Sequence, residues 1–408
     1  MSKSIHFFGQ SVFGQLISLI DRSKVKSAIK KTGSDRYCKG FYTWDHLVSM
    51  LFCTLSNCTS LREIAAGCLG LKGKTEHLGL RKLPRRSTLS DANKHRTPKV
   101  FEKIYWALLK KYRGDISDSR LKKFFGKELY IFDSTTISLF TDILKCAGRP
   151  PKNGKQKGGI KVHTLLNADE QVPQLLWFSS AATNDICFWD KIDFKENAIY
   201  IFDRGYIDYR RYDQLTKNNV SFITRLKDTA TFETVQELEI DDHVDPGVLK
   251  DEWVRLPLRK NGKIISWIKL RRIAYWDSDN KRVLAFLTNI SEKDMDGGKI
   301  ALLYKQRWQI ELLYKQLKQN FPLKYFLGDN VNAIIIQIWC AMIANLLLTI
   351  IRERVKRKWS FSNLVSFTRL HLFNHIHLVR FLEDPEKDWQ KEFLHPQISL
   401  FYTQGACL

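Results

Sequence analysis

Two short runs constrain this chain's fold more than any other feature: Leu129-Tyr130-Ile131-Phe132 and Ile199-Tyr200-Ile201-Phe202. Each reads as an apolar strand, and each ends on an acid, Asp133 and Asp203. A carboxylate at the end of an apolar strand is costly to desolvate unless something compensates it, and a divalent cation is one such partner. If the two strands are neighbours, the carboxylates converge. For either aspartate alone, a strand-end cap or turn residue is the competing reading.

A third acid lies in the stretch Tyr304–Lys318, YKQRWQIELLYKQLK. Tyr304, Arg307, Glu311 and Lys318 are spaced by three, four and seven residues. At about 100° per residue they fall within roughly a 60° arc of a helix. Leu303, Ile310, Leu313 and Leu317 take another side and predict a core-facing stripe. A solvated, salt-bridged helix face gives part of the same pattern. What favours a site is the pair of aspartates upstream, which this glutamate can join. Three carboxylates without a local cation are unfavourable. With two Mg²⁺ ions about 3.5–4 Å apart they form the clamp used in in-line phosphoryl chemistry.

The charge points to the substrate. The 408 residues carry a net +23. Residues 1–128 hold 26 Lys or Arg against 10 Asp or Glu, so less than a third of the chain supplies +16 of it. Nucleic acid is the default partner of such a field, because neutralising phosphates releases counterions. The eight cysteines form no C-x-x-C pair and read as reduced thiols of a cytosolic protein. His371, His375 and His377 are interrupted by apolar residues and read as a helical surface, not a zinc site. The apolar run 334–351 has the length of a membrane span. It contains Gln337, Asn345 and Thr349, however, and reads as a helix buried in a soluble, cytoplasmic protein.

Residues 1–128 read as a basic helical region. Ser60-Leu61-Arg62-Glu63 makes a capping box opening a helix toward Gly70, and Ser87 signals a second helix start. The segment 81–99 holds seven basic residues with Asp91 as its only acid. Its Arg81, Arg85, Arg86, Lys94 and Arg96 are candidate DNA contacts, mixed with Ser, Thr, Asn and His suited to phosphate and base edges. The gap between the two helices is too long for a standard helix-turn-helix, and a solvated basic linker is the competing reading.

From Leu129 the texture changes to strands: 129–140, 158–167 and 173–180 with a turn at Ala168-Asp169-Glu170, then a short helix near 185–193. Strand 198–202, a helix near 208–216 and strand 220–225 follow. Three strands in a meander and then helix–strand–helix–strand is the order of a ribonuclease H-like α/β fold with a mixed sheet. Residues 228–283 read as a β-rich insertion with turns at Pro246-Gly247, Asn261-Gly262 and Asp277-Ser278-Asp279. A strand at 283–289 then returns ahead of the Glu311 helix. The expected domains are 1–128 (DNA-binding), 129–227 and 284–355 (catalytic core), 228–283 (insertion) and 356–408 (C-terminal helices).

The Y-x2-R-x3-E-x6-K spacing, with one aspartate in DST and another in DRGY, resembles the DDE transposases of bacterial insertion sequences. More closely it resembles the insertion-sequence-four family, over about residues 129–345. The resemblance implies a ribonuclease H-like core with a β-strand insertion before the glutamate helix. It also implies that Asp133, Asp203 and Glu311 are the catalytic, metal-binding triad and that Tyr304, Arg307 and Lys318 contact DNA phosphates. Arg grips a phosphate bidentately, Lys supplies a point charge, and Tyr donates one hydrogen bond.

Trp308 serves base stacking or core packing; both readings stand. His163 reads as a satisfied core histidine, and Arg204 and Gly205 shape the turn after Asp203. Arg149, Lys152, Lys155, Lys157 and Lys161 are candidate backbone contacts, with a solvated loop as the alternative. In the insertion, Trp253, Trp267 and Trp276 are candidates for base stacking. The resemblance implies cut-and-paste transposition: cleavage at the element's terminal inverted repeats and strand transfer into target DNA. Mg²⁺ (two ions, replaceable by Mn²⁺) is the expected cofactor. The expected partners are double-stranded DNA and a second copy in a homodimeric synaptic complex, in a cytoplasmic, nucleoid-associated setting without membrane or small-molecule substrate. Two rivals are a catalytically inactive, transposase-derived regulator and a structure-specific metal-dependent nuclease that cuts without joining.

Overall fold

The computed structural model describes residues 9–71, 73, 75–116, 126–138, 159–323 and 325–386. Two compact units emerge: one from residues 1–115, 320–322 and 336–408, the other from 116–319 and 323–335.

The first unit is helical. It contains α1 (Val12–Ser18), α2 (Arg22–Thr32), α3 (Thr43–Ser56), α4 (Leu61–Leu69), the single turn α5 (Thr75–Leu78), α6 (Arg86–His95) and α7 (Lys99–Ile116). Its centre is α3, buried on all sides from Asp45 to Leu55, with the polar Asp45, His46, Ser49 and Thr54 held among its apolar residues. Ser60 opens α4 by accepting from the Glu63 N–H at 3.2 Å. The Glu63 carboxylate reaches one residue further back than a capping box requires, to the Thr59 N–H at 2.8 Å. Helix α6 begins at Arg86, with Arg85 at the cap in extended backbone, so Ser87 lies inside the first turn. Such one-residue shifts are within the fraying of helix ends.

The second unit is built on a nine-stranded mixed sheet in the order β3-β2-β1-β4-β5-β9-β8-β7-β6. Strands β1 (Glu128–Ser138), β2 (Gly159–Asn167) and β3 (Val172–Ser180) form an antiparallel meander. A 3₁₀ turn (Asp185–Lys191) leads to β4 (Ala198–Phe202), which lies parallel to β1; α8 (Tyr209–Lys217) then crosses to β5 (Ser221–Arg225), parallel to β4. The expected insertion does not stand apart from this sheet. Its strands β6 (Glu233–Glu237), β7 (Val248–Lys260) and β8 (Lys263–Asp277) continue it, because β9 (Arg282–Thr288) pairs antiparallel with both β5 and β8. The two-residue turn joining β7 to β8 is Asn261-Gly262, both at positive φ (52° and 78°). That conformation matches the right-handed twist of a hairpin and suits Asn and Gly.

Aromatic stacks fix the register at the centre. Tyr130 stacks on Tyr200 at 5.2 Å and Phe132 on Phe202 at 4.8 Å, the same pairs that face each other in the β1–β4 ladder. Phe188, Trp189 and Tyr212 complete the cluster. Each well-oriented aromatic pair contributes about 0.5–1.5 kcal/mol beyond its buried area. Because side chains alternate along a strand, packing Phe132 into this cluster turns Asp133 to the opposite face.

That face receives α9 (Gly297–Lys305) and α10 (Trp308–Asn320). The single helix expected across Tyr304–Lys318 is interrupted: the backbone tightens into i to i+3 hydrogen bonds at Gln306, Arg307, Gln309 and Ile310. Tyr304 therefore lies in the last turn of one helix, Arg307 occupies the junction, and Glu311 and Lys318 belong to the next. Helix α11 (Val331–Arg354) has the length and apolarity of a membrane span, yet 89% of that window is buried inside the protein. Helices α12 (Phe361–Leu370) and α13 (Leu378–Glu383) complete the described chain.

Candidate active site

The strand ladder brings the two aspartates together. Phe132 is in register with Phe202, so Asp133, which lies inside β1 opposite Thr164 of β2 and not at the strand's end, stands level with Asp203, just past the end of β4. The Asp133 carboxylate accepts the Ser134 N–H at 2.7 Å, and Asp203 caps the 3₁₀ turn Arg204–Tyr206 by accepting the Gly205 N–H at 2.8 Å. Glu311 sits in the first turn of α10. Tyr314, one turn further on, donates from its hydroxyl to the Asp133 carbonyl at 2.9 Å and docks this helix on β1.

Arg307 ties Asp133 and Glu311 together. Its Nη2 lies 2.5 Å from Glu311 Oε1 and its Nη1 lies 3.7 Å from Asp133 Oδ2. Burial, followed by the negative charge of Asp203, pushes the Asp133 carboxyl up to about 7. The Ser134 N–H and Arg307 act against that rise, and Glu311 adds a little to it. Burial alone pulls Arg307 down, but Tyr304, Glu311 and Asp133 outweigh it, and the guanidinium ends above its usual range.

The remaining residues of the signature surround this centre. Tyr304 is buried, its ring 5.0 Å from Phe286, and burial pushes its hydroxyl up to about 12. Lys318 donates to Thr135 Oγ1 at 2.6 Å and to the Thr136 carbonyl at 3.3 Å, and desolvation lowers its ammonium below the ordinary lysine range. Trp308 is 56% exposed at the start of α10 and packs no core. Arg204 faces solvent and pairs with Asp228 at 3.3 Å.

The donor chemistry of Asp133, Asp203 and Glu311 suits a hard cation, which binds carboxylate oxygens. Asp133 carries the clearest need for one, being half-buried beside another acid. Among the described residues, however, no three His, Cys, Asp or Glu side chains are gathered closely enough to hold a metal ion together. Without a cation the acids repel one another, and the Arg307 guanidinium spans the gap between Asp133 and Glu311.

Other candidates fall elsewhere. His163 is fully buried, shares a hydrogen bond of 2.9 Å with Ser179 Oγ and is pushed down to about 4 by burial, a core histidine. Lys161 is buried too, donating to the Thr183 carbonyl at 2.8 Å and pairing with Asp185 at 3.2 Å. Arg149, Lys152, Lys155 and Lys157 lie outside the described residues. In the helical unit Arg81, Arg85, Arg86 and Lys94 are exposed. Arg96 differs. It is 6% exposed, donates to the Phe41 carbonyl at 2.8 Å and lies 3.9 Å from Asp35, so it braces a loop from inside. Trp267 and Trp276 are exposed, whereas Trp253 is half-buried and donates to Glu292 at 3.1 Å.

Two contributors carry little signal in the sequence. Tyr314 shares the helix face of Glu311 and Lys318, at three and four residues from them, and that spacing is the available signal. Asp185 accepts from Ser134 Oγ at 2.5 Å, directly behind Asp133. It follows no apolar run, and nothing in its surroundings marks it.

Comparison with known proteins gives the family of the chain. Residues 124–347 match the family described as the transposase DDE domain, and residues 8–81 match a domain of unknown function. A Sinorhizobium fredii protein assigned as a transposase, y4zB, is 33% identical over 269 residues, covering 65% of this chain and 71% of its own. A Synechocystis protein assigned as the transposase of insertion sequence element IS4SA is 29% identical over 303 residues, covering 72% and 77%. A solved structure of a piggyBac transposase synaptic complex with hairpin DNA covers 96% of this chain and 81% of its own at 10% identity, with a TM-score of 0.43. With more than half of its length inside the family's domain, this chain belongs to the DDE transposases of bacterial insertion sequences.

Proposed function

We propose that this DNA transposase cuts the ends of its element and joins them to target DNA at Asp133, Asp203 and Glu311. The observation that carries the reading is that Asp133 and Glu311, from different elements, share one guanidinium, while the charge of Asp203 acts on an Asp133 carboxyl whose pKa burial has raised. When bound, two Mg²⁺ ions, or Mn²⁺ in their place, supply charge neutralisation at the attacking and leaving oxygens of an in-line displacement. Asp133 and Asp203 would hold them from the sheet and Glu311 from α10.

The chain's own groups do the positioning. Arg307 offers a fork to a backbone phosphate, Lys318 a point charge over the end of β1, and Tyr304 a hydroxyl. Trp308, exposed at the start of α10, is placed to stack on an unpaired base. Catalysis then rests on orientation and charge neutralisation.

The strand order β3-β2-β1-β4-β5, with β1 parallel to β4, supports a ribonuclease H-like core at 129–227 and 284–355, carrying 228–283 as its insertion. The basic region 1–128 is the reader of terminal inverted repeats, a homodimer on DNA is the working assembly, and the setting is the cytoplasm. A duplex bearing the element's ends, incubated with Mg²⁺, tests the reading. End-specific nicking by the wild type, lost in Glu311→Ala and Asp203→Ala while binding persists, supports it. Variants that cut as well as the wild type would place the chemistry elsewhere, and a wild type that binds but never cuts would make the chain a regulator. Precut ends that are never joined would leave a nuclease.

A further inference from the structure

In the helical unit, α6 is amphipathic in an unusual sense. Its inner face is Leu89 and Asn93, the latter bonded to the buried His46 of α3 at 2.8 Å. Arg86, Ser87, Ser90, Asp91, Lys94 and His95 are all exposed. At about 100° per residue these six cover roughly half of the helix circumference, with no apolar side chain among them. Two serines lie between the basic residues and let the helix approach a surface closely.

Beside this face lies an open cavity of about 470 Å³, between α6 and the loop 34–41. Arg36, Tyr37, Lys39, Asp91, His95 and Arg96 are among its lining residues. Four of the six are basic or protonatable. Arg36 and Lys39 are exposed, and Tyr37 is 85% exposed with the Arg36 guanidinium 5.0 Å from its ring. Arg96 closes the inner wall, and its Nη1 is buried with no hydrogen-bond partner.

From this juxtaposition we infer that α6 is the element that reads duplex DNA in the major groove, while the cavity seats a backbone phosphate of the flanking strand. The major groove admits one α-helix, and short hydroxyl, amine and carboxylate side chains are the groups that read base edges there. Cationic clefts alongside a reading helix fix its register without carrying sequence information. Ser87, Ser90, Asp91 and Lys94 become the reading residues and Arg36 and Lys39 the phosphate contacts; Arg96 lines the cleft. The inference rests on the transposase reading, but it concerns recognition only and not cleavage.

The test is equilibrium binding by the full chain in EDTA, where no cutting intervenes. The probes are DNA flanking the coding sequence and an unrelated duplex of equal length. Wild type should prefer the flanking DNA. Ser87→Ala/Ser90→Ala should shrink that preference about tenfold or more while leaving affinity for the unrelated duplex within a factor of two or so. Arg36→Ala/Lys39→Ala should weaken both complexes alike and reduce the slope of log K against log salt by about two. All four side chains are exposed, and unchanged thermal melts would verify folding. If the serine variant discriminates as well as the wild type, α6 is not the reader. A wild type that binds both duplexes equally also overturns the inference and leaves the catalytic reading to the cleavage assay. No binding to any duplex would overturn the transposase reading itself.

Discussion

Replacing Asp133 by Asn removes a carboxyl that folding makes expensive to ionise. Its pKa is about 7 in the folded protein against an ordinary 3.8, because burial and then the charge of Asp203 disfavour the anion. The side chain is only 18% exposed, so solvent screens little of this. Each tenfold change in an acid's ionisation constant corresponds to about 1.4 kcal/mol. A folded-state pKa raised above the unfolded one gives a stabilising contribution that is complete below pH ~4 and lost as pH climbs through ~7. Between pH 5 and pH 8 the wild type should therefore lose about 3 kcal/mol relative to Asp133→Asn. For a unit of this size that corresponds to roughly 6–12 °C in melting temperature. The assay is thermal unfolding of both proteins in EDTA at pH 5, 6, 7 and 8, taking the difference at each pH. Wild type should fall relative to the variant across this series, and added Mn²⁺ should flatten its decline. A difference independent of pH would show that Asp133 ionises normally and that its neighbourhood imposes no cost.

Three further outcomes follow from the same contacts. Arg307→Ala should bind Mn²⁺ about tenfold or more tightly in the absence of DNA, since the guanidinium and a cation compete for Asp133 and Glu311; calorimetric titration checks this, and equal or weaker binding contradicts it. Asp251→Asn should destabilise the β-sheet unit by about 3–5 kcal/mol, because it strands the Arg271 guanidinium, which is 1% exposed; denaturant unfolding reads the loss. Phe132→Ala should cost about 3–5 kcal/mol in the same assay by opening a hole between Phe202, Trp189 and Tyr206.

The sheet was legible because its signals are local. An apolar run closed by an acid marks β4, the similar run before Asp133 marks only the first half of β1, which continues to Ser138, and Asn261-Gly262 marks the hairpin that joins β7 to β8. The pairing of β1 with β4 was legible only as a condition, since adjacency depends on aromatic stacking between residues 70 apart in sequence. The division of the Tyr304–Lys318 stretch was hidden for a related reason. Periodicity assigns a helical phase but not the hydrogen-bond partner, and a turn tightened to i to i+3 keeps nearly the same phase. The burial of Arg96 was hidden because charge in a basic segment looks alike whether it faces water or a loop carbonyl. Asp185 had no local signal, since Ser134 singles it out only after β1 and the 3₁₀ turn have packed.

The Arg271 guanidinium anchors the base of the β7–β8 hairpin. It grips Asp251 with two nitrogens, at 2.7 and 2.5 Å, and donates from the third to the Met295 carbonyl at 2.6 Å. Met295 sits two residues ahead of α9, whose last residues lead through the Arg307 turn to Glu311. The base of the hairpin and the start of the helix pair thus share one buried guanidinium, which ties the insertion's strands to the segment that leads to the third acid.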